Sequence, residues 1–321
     1  MNIVIGGKGF VGTRLIQVIK NWKRLDKALN DDEYCDIRIK KTLEGCIRQN
    51  DCIILLAAEH RDDISPISKY YETNVQGTQN VLDEMDKVGC KNLIFTSSVA
   101  VYGLNKNNPN EEHPVDPFNH YGKSKWAAEK IIKSWYENNP EEKSVTIIRP
   151  TVIFGEKNRG NVYNLLSQIS SGKFLMIGKG ENEKSMAYVG NVVDFIKDRS
   201  ELKQPGFNIF NYTDYPDLTM NSLIGIIEES LSKKIPSINI PIPLGYVAGY
   251  ISDFLIFMTR IKLPISSVRV KKFLATTKFD SKKVHSGDWK APYTLKKGLI
   301  RTLNYEFIES RSKDEEVFYT E

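Results

Sequence analysis

The sequence has few of the residues that build disulfide frameworks or metal centres. It contains four cysteines and four histidines in 321 residues, and no two cysteines stand in a C-x-x-C spacing. Disulfide scaffolds and zinc sites are recognised by such spacings, so the sequence supports neither of them and indicates a reducing compartment. His113 and His120 have no neighbours at metal-ligand spacing. We therefore predict no metal site.

The chain also lacks an internal repeat, a strongly biased composition and a leader-like start. Its first residues, MNIVIGG, run directly into an apolar pattern without the charged and small residues of a secretion signal, so we expect no cleaved signal. The content of 40% hydrophobic and 26% charged residues is ordinary for a soluble globular protein. The length suffices for one large domain or for two lobes around a cleft.

Short apolar runs rich in β-branched residues alternate with helical patterns in the first half of the chain. A clear helical pattern, VQGTQNVLDEMDKVG, places its apolar residues on one face and has Gly89 in position to end it. Such alternation predicts βαβ units, and hence an α/β fold with a doubly wound parallel sheet of the Rossmann type. The apolar runs are NIVI, DCIILLAA, NLIFTSS and SVTIIRPTVI.

A glycine-rich loop follows the first predicted strand and precedes a helical pattern. Gly6, Gly9 and Gly12 form a G-x-x-G-x-x-G array with Phe10 and Val11 inside it. Glycines allow backbone N–H groups to approach a pyrophosphate, which is also attracted by the positive end of the helix. The loop therefore indicates a dinucleotide site, although a merely tight turn has the same pattern.

Asp26 in KRLDKA stands at the predicted end of the second strand. An acid at this place binds the ribose hydroxyls of the dinucleotide and favours NAD over NADP. The spacing from Gly12 to Asp26 is shorter than the usual ~20 residues, which predicts a first helix about one turn short.

We expect three parts in the chain. Residues 1–155 form the NAD-binding Rossmann domain. Residues 156–308, where the pattern loosens and Gly, Pro and Asn become frequent, form mainly a smaller mixed α/β substrate lobe, with some strands and helices returning to the core. Residues 309–321 read as a charged, partly mobile C-terminal tail.

The stretch HYGKSKWAAEK contains a tyrosine four residues before a lysine. On a helix this spacing places Tyr121 and Lys125 on one face, about one turn apart, where an ammonium can lie near a phenol. Both residue types are common, so the pair alone does not distinguish chemistry from an ordinary surface.

The motifs in their order along the chain resemble the extended short-chain dehydrogenase/reductase family, which includes sugar-nucleotide epimerases and dehydratases. The resemblance covers nearly the whole chain and implies bound NAD. It implies that Ser98 hydrogen-bonds the reacting hydroxyl, with Ser97 as a backbone-bonded strand-end alternative. The motifs are the glycine loop, CDI, LLAA, NVQGTQNV, TSSVAVYG, YGKSK and RPTVIFG.

The same resemblance makes Tyr121 the acid/base of the reaction. A free phenol has a pKa near ~10, so the site must favour the phenolate. Lys125, together with the nicotinamide ring, is expected to do so by its positive charge and to hold the nicotinamide ribose. The remaining residues that the resemblance places at NAD are Asp36, Ile37, Leu56, Ala57, Ala58, Asn74, Ser97, Pro150 and Val152.

Longer stretches resemble one bacterial group within the family. LLAAEHRDDISP, IIRPTVIFGEKNRGNVYNLL and KSMAYVGNVV look like the 4-epimerases that convert undecaprenyl-diphosphate-linked GlcNAc to GalNAc for surface polysaccharides of the O-antigen and lipopolysaccharide type. The resemblance implies a lipid-linked amino-sugar diphosphate substrate and a peripheral place on the cytoplasmic side of the bacterial inner membrane. The candidate substrate residues are Ser98, Val99, Arg159, Asn161, Lys184 and Arg269.

Arg159, Asn161 and Lys184 are the candidates for the diphosphate. Lys184 stands where many relatives carry arginine, and a lysine offers a point charge instead of a planar fork, which implies a different phosphate geometry. Residues 60–63, of sequence HRDD, either line the sugar pocket or form an internally paired loop.

The apolar run PIPLGYVAGYISDFLIFM at residues 241–258 precedes a segment rich in lysine and arginine, residues 260–301. An in-plane anchor on an anionic membrane surface has this pattern, but so does a buried lobe helix with a solvated basic face. The run is short for a spanning helix.

Three other functions remain open. They are a soluble UDP-sugar 4-epimerase, a net NAD-dependent dehydrogenase acting on a hydroxylated lipid, and a non-catalytic NAD-sensing module; retention of Ser98, Tyr121 and Lys125 argues against the last. The basic segment lacks interleaved aromatics, so we expect no nucleic-acid partner. The sequence leaves a homodimer open.

Overall fold

A computed structural model describes residues 1–61, 64–104, 106–172, 174–236, 239–260, 266–309 and 315–320, without the side chains of Arg269 and Lys272. The strands are β1 (Asn2–Ile5), β2 (Trp22–Leu25), β3 (Cys52–Leu55), β4 (Asn92–Thr96), β5 (Ser144–Pro150), β6 (Val152–Phe154), β7 (Met176–Ile177), β8 (Glu183–Lys184), β9 (Met186–Tyr188), β10 (Gly206–Tyr212), β11 (Leu218–Thr219) and β12 (Asn239–Ile240). The α-helices are α1 (Phe10–Leu15), α2 (Ser68–Tyr71), α3 (Gly77–Val88), α4 (His120–Glu137), α5 (Asn161–Ser170), α6 (Val189–Glu201), α7 (Met220–Leu231), α8 (Ile242–Thr259), α9 (Ser267–Leu274), α10 (Lys282–His285) and α11 (Leu295–Leu303).

Six parallel strands form the central sheet, in the order β10-β5-β4-β3-β1-β2. The chain order reverses beside β1, where open α/β sheets bind ligands. Ile5 lies opposite Leu25 on one side and Leu55 on the other. Gly6 and Asp26, which follow β1 and β2, therefore emerge at the same edge of the sheet. The predicted doubly wound parallel sheet is confirmed.

The predicted apolar runs become strands, with one difference. The run SVTIIRPTVI divides at Thr151 into β5, in the central sheet, and β6, which pairs with β9 in a separate two-stranded sheet. The pairs β8–β11 and β7–β12 form two further small sheets. Strand β10 lies in the central sheet beside β5, so the second half of the chain does return to the core.

The two helices predicted with defined ends are also found. Helix α1 has six residues, as the short spacing to Asp26 predicts. Helix α3 ends at Val88, and Gly89 follows with φ of +71°, a left-handed conformation that glycine adopts without strain. Between β2 and β3 the chain forms two short 3-10 helices, Asp31–Glu33 and Lys40–Leu43.

The sheet is buried on both faces, which explains why its strands read as continuous apolar runs. Ile3 and Ile53 face the layer of α3 and α4, whereas the alternate residues Val4 and Ile54 face that of α1 and α6. Each of these four side chains is fully buried, and complete burial of such a side chain stabilises the fold by about 1.5–3 kcal/mol. The strands whose ends form the edge with Gly6 and Asp26 are thus anchored by packing on both faces of the sheet.

The late apolar segment is an exposed helix, so its interpretation as a buried lobe helix is wrong. Within the described ranges, α8 is the one helix long and apolar enough to cross a membrane by length and composition alone. Gly245 and Gly249 are its buried residues, while Phe254 and Phe257 are 63% and 80% exposed. Glycines let this face approach the body closely because they carry no side chain.

Three cations of the basic segment form ion pairs within the fold. Lys278, Lys296 and Arg301 are paired with Glu183, Glu229 and Glu156 at 2.9, 2.8 and 3.2 Å. These cations come from different elements and neutralise acids of the same lobe. These three cations are therefore not free to bind an external anion.

Candidate active site

A cavity of about 620 Å³ opens at the carboxyl edge of the central sheet. Loops after β1, β2, β3 and β4 line it, together with α4 and the chain between β5 and β6. The predicted cofactor residues that line this cavity are Gly6, Gly9, Phe10, Val11, Gly12, Asp26, Asp36, Ile37, Leu56, Ala57, Ala58, Ser97, Tyr121, Lys125, Pro150 and Val152.

The glycine loop leaves no room for side chains at two of its positions. A Cβ atom on Gly6 would lie 2.5 Å from the Ala57 nitrogen, and one on Gly12 would lie 2.4 Å from the Gly6 carbonyl oxygen. Gly6 also has φ of +89°. Helix α1 begins directly after Gly9, so its unpaired N–H groups face the cavity side of the loop, where a pyrophosphate is stabilised.

Asp26 lies where a ribose-binding acid is needed, immediately after β2. Its carboxylate accepts hydrogen bonds from the backbone N–H groups of Lys8 and Ala28, at 3.0 and 2.9 Å. These bonds fix the side chain at the rim of the cavity and leave further lone pairs for a ligand hydroxyl.

Asp36 lines the cavity but is engaged by its neighbour Arg38. The Arg38 guanidinium donates to both carboxylate oxygens, with Nη2 at 2.5 Å from Oδ2, and this bond holds the pKa of Asp36 below its usual range. Asp36 therefore positions Arg38, which also lines the cavity. The sequence interpretation did not include Arg38; its position two residues after Asp36 was the available signal.

Two adjacent serines end β4 at the cavity and differ in their hydrogen bonds. Ser98 Oγ accepts a bond from the Ala100 N–H at 3.1 Å, which caps the short 3-10 helix Val99–Tyr102 and leaves the hydroxyl proton available as a donor. Ser97 Oγ is buried and has no hydrogen-bond partner among the described residues. A buried hydroxyl without a partner is costly, and a cofactor atom in the cavity would satisfy it.

Tyr121 and Lys125 occupy the first turns of α4 and both line the cavity. Asn119 begins the helix by accepting the Gly122 N–H at 2.8 Å. The phenol of Tyr121 thus lies at the positive end of the helix, where negative charge is favoured. Lys125 is 2% exposed, and its Nζ lies 4.5 Å from the centre of the Phe95 ring.

Burial lowers the pKa of Lys125 to about 7, and the charge of Glu129 one turn further along α4 opposes this. Removing a lysine from water disfavours its charged form, whereas a nearby anion favours it. An ionised Tyr121 on the same face would therefore promote protonation of Lys125.

A chain of buried polar groups holds α4 against the sheet. Arg149 donates to both Glu129 oxygens at 3.0 and 2.5 Å and to the Tyr102 hydroxyl at 2.6 Å. The Tyr102 hydroxyl in turn donates to Asn211 Oδ1 at 2.8 Å. The chain joins α4 to β5 and β10, and breaking such a buried pair on one side costs about 3–5 kcal/mol.

Asn74 was assigned to the cofactor site, but it does not line the cavity. Its amide donates to Ser124 Oγ at 2.9 Å and to the Glu59 carbonyl at 2.8 Å, and its oxygen accepts the Glu59 N–H at 2.8 Å. Asn74 therefore supports the site from below, by joining α4 to the loop after β3.

The assignment of diphosphate ligands is only partly consistent with the structure. Val99, Ser98 and Asn161 line the cavity, but Arg159 and Lys184 do not. Arg159 is paired with buried Glu306 and stacks over the Tyr163 ring at 4.1 Å.

Lys184 donates to the Ala275 carbonyl, and burial lowers its pKa to about 8. Both cations have partners within the fold and lie outside the cavity lining, so the structure gives no support to their assignment to the diphosphate. The Arg269 side chain lies outside the described residues.

Several residues that line the cavity were not among the predicted cofactor or substrate residues. His60 is among them, which favours the pocket interpretation of the HRDD stretch, although Asp62 and Asp63 lie outside the described residues. Asn158 lies three residues before Asn161 in the sequence NRGNV, and this closeness could have indicated that Asn158 also lines the cavity. Thr277, Phe279 and Thr320 also line the cavity and are brought to it by tertiary packing alone.

Comparison with known proteins gives consistent results. An Escherichia coli O157:H7 protein named N-acetyl-alpha-D-glucosaminyl-diphospho-ditrans,octacis-undecaprenol 4-epimerase is 56% identical over 99% of this chain and 98% of its own length. A Vibrio cholerae UDP-glucose 4-epimerase is 27% identical over 97% of this chain and 96% of its own.

A solved structure supports the fold. The UDP-glucuronic acid 4-epimerase of Bacillus cereus, in complex with NAD, superposes with a TM-score of 0.69 at 17% identity, covering 95% of this chain and 98% of that one. The sequence matches the NAD dependent epimerase/dehydratase family over residues 2–204. The glycine cradle, the acid after β2 and the buried serine hydroxyl all fit the cofactor of that family. The chain therefore belongs to the NAD-dependent epimerase/dehydratase family, with NAD as its cofactor.

Proposed function

We propose that this protein is an NAD-dependent 4-epimerase that interconverts GlcNAc-diphospho-undecaprenol and GalNAc-diphospho-undecaprenol. The observation that carries the proposal is the 56% identity to the named epimerase over nearly the full length of both chains. The presence of Ser98, Tyr121 and Lys125 around one cavity is consistent with it.

Bound NAD supplies reversible oxidation at carbon 4 of the sugar and is regenerated in each cycle. Tyr121 accepts the proton of the 4-hydroxyl and returns it to the epimeric product. Ser98 donates a hydrogen bond to the same sugar oxygen with the hydroxyl proton that its own cap bond leaves available. Lys125 lowers the free energy of the Tyr121 phenolate by its nearby charge.

The substrate can be tested by giving the purified protein GlcNAc-diphospho-undecaprenol or UDP-GlcNAc in separate reactions. We expect GalNAc, released by mild acid and identified by chromatography, from the lipid reaction. GalNAc from the nucleotide reaction alone would contradict the proposal and indicate a soluble sugar-nucleotide epimerase. Stoichiometric accumulation of NADH would instead indicate a net dehydrogenase.

We further propose that α8 lies in the plane of the anionic inner membrane surface on the cytoplasmic side, next to the lipid substrate. The helix is fixed to the body along one face: Gly245 packs against Ile177, and the Asp253 carboxylate accepts the Ser267 N–H at 3.2 Å. Exposed cations Arg260 and Lys271 adjoin it. Its exposed apolar side chains are Ile242, Leu244, Val247, Tyr250, Ile251, Phe254, Leu255, Phe257 and Met258.

Replacing both Phe254 and Phe257 with serine should weaken membrane binding at least about hundredfold, because each of the two buried aromatic rings contributes about 1.5–3 kcal/mol. Co-sedimentation with vesicles that contain phosphatidylglycerol measures the effect. Phe118, which is 64% exposed outside this helix, provides the control: Phe118→Ser should bind as the unaltered protein does. Equal binding by all three proteins would contradict an α8 anchor.

A further inference from the structure

The last described residues of the chain, 315–320, pack onto the cavity instead of extending into solvent. The backbone of Phe318 bonds on both sides: its N–H donates to the Lys157 carbonyl at 2.8 Å, and its carbonyl accepts the Arg159 N–H at 2.7 Å. Glu315 pairs with Lys157 at 2.8 Å. This differs from the charged, partly mobile tail that the sequence suggests, because a strand-like pairing and an ion pair fix the segment.

The side chains of this segment contact the two loops that flank the cavity. The Phe318 ring lies 5.7 Å from the ring of Phe10, the first residue of α1 and part of the glycine loop. Thr320 Oγ1 donates to Asn158 Oδ1 at 2.6 Å, and both residues line the cavity. Gly160 leaves space for Thr320, because a Cβ there would lie 2.3 Å from its hydroxyl oxygen.

We propose that residues 315–320 form a C-terminal strap that retains NAD, with Phe318 and Thr320 as positioning residues. The strap is one segment bound both to the start of α1, which holds the pyrophosphate, and to the loop of Asn158. In this proposal, NAD is released when these loops separate, and the strap's contacts oppose that separation. This inference rests on the proposed function, in which NAD is regenerated in each cycle. Such an enzyme does not need to release NAD between turnovers.

The contacts also predict which side chains of the strap matter. Phe318 is packed against the core that includes Phe10, whereas its neighbour Tyr319 is 70% exposed. The two are adjacent aromatics of similar size, so they form a matched pair. Thr320→Val keeps the shape of the side chain and removes the hydroxyl that donates a hydrogen bond to Asn158 Oδ1.

The test is the rate at which the NAD-loaded protein releases labelled NAD into an excess of unlabelled NAD. We expect release about tenfold faster from Phe318→Ala, as for loss of one aromatic contact, faster release from Thr320→Val, and unchanged release from Tyr319→Ala. Thermal unfolding of each loaded variant checks that it is folded. If Phe318→Ala does not fold, the rate of NAD release from Thr320→Val tests the proposal by itself.

Two outcomes would overturn the inference in distinguishable ways. Release at the unaltered rate from folded Phe318→Ala and Thr320→Val would show that the strap has no part in retention, while NAD binding and the proposed function stand. Equal acceleration by Tyr319→Ala would also overturn it. Failure of the unaltered protein to bind NAD at all would instead remove the proposed function together with the strap.

Discussion

Tyr121→Phe is expected to reduce turnover about 10²–10⁴-fold, the contribution of a positioned acid/base, while NAD stays bound. Phenylalanine keeps the ring in the first turn of α4 and removes the hydroxyl that exchanges the proton of the sugar. Ser98 retains its bond to Ala100, so the loop after β4 is not disturbed. Turnover is measured with the lipid-linked sugar, and the NAD content by absorbance after denaturation.

Tyr71→Phe provides a matched control for this substitution. The Tyr71 hydroxyl interacts with His120 Nδ1 at 3.1 Å beside α4, and Tyr71 does not line the cavity. We expect its turnover to stay within about twofold of the unaltered protein, as for a surface substitution. Comparable turnover in Tyr121→Phe and Tyr71→Phe would remove Tyr121 from the reaction.

Gly12→Ala is expected to weaken NAD binding by about tenfold to hundredfold. The new Cβ would lie 2.4 Å from the Gly6 carbonyl oxygen and 2.7 Å from the Gly7 Cα, so the backbone that cradles the pyrophosphate must shift. Such overpacking costs about 1–3 kcal/mol, which gives this range of affinity. Calorimetric titration with NAD measures it.

Gly225→Ala separates the effect on the cofactor from a general effect of alanine. Gly225 lies in α7, and apart from the adjacent residues and the helix's own backbone no atom lies within 4 Å of the Cβ it would gain. Alanine there should stabilise the helix by about 1 kcal/mol and leave NAD affinity unchanged. Unchanged affinity in Gly12→Ala would show that the loop does not hold the pyrophosphate.

Site residues whose positions depend on local geometry could be predicted from the sequence. Gly6 and Gly12 stand in the sequence at the spacing that a strand–loop–helix unit requires, and Tyr121 and Lys125 at the spacing of one helical turn. The structure places all four around one cavity. Local spacing suffices here because each pair lies on a single element or loop, whose geometry is set by neighbouring backbone.

Cations were the least predictable residues. Arg159 and Lys184 were plausible phosphate ligands by loop position, yet one is paired with Glu306 and the other donates to the Ala275 carbonyl. Their partners lie 147 and 91 residues away in the chain. A long cationic side chain reaches whatever acceptor packing brings near, and sequence position does not reveal that acceptor.

The sequence by itself determined the parallel sheet, the glycine cradle and the place of Asp26 after β2, because short-range spacing and strand register dictate them. Ser98, Tyr121 and Lys125 were assigned together by the resemblance to a known family, and the structure brings all three to one cavity. Only the tertiary structure decided that α8 is exposed and that Asn74 supports the site from outside the cavity. It alone also placed Phe279 and Thr320 on the cavity wall. These outcomes depend on contacts between distant segments, whose free energies are set by complementary packing that no local pattern encodes.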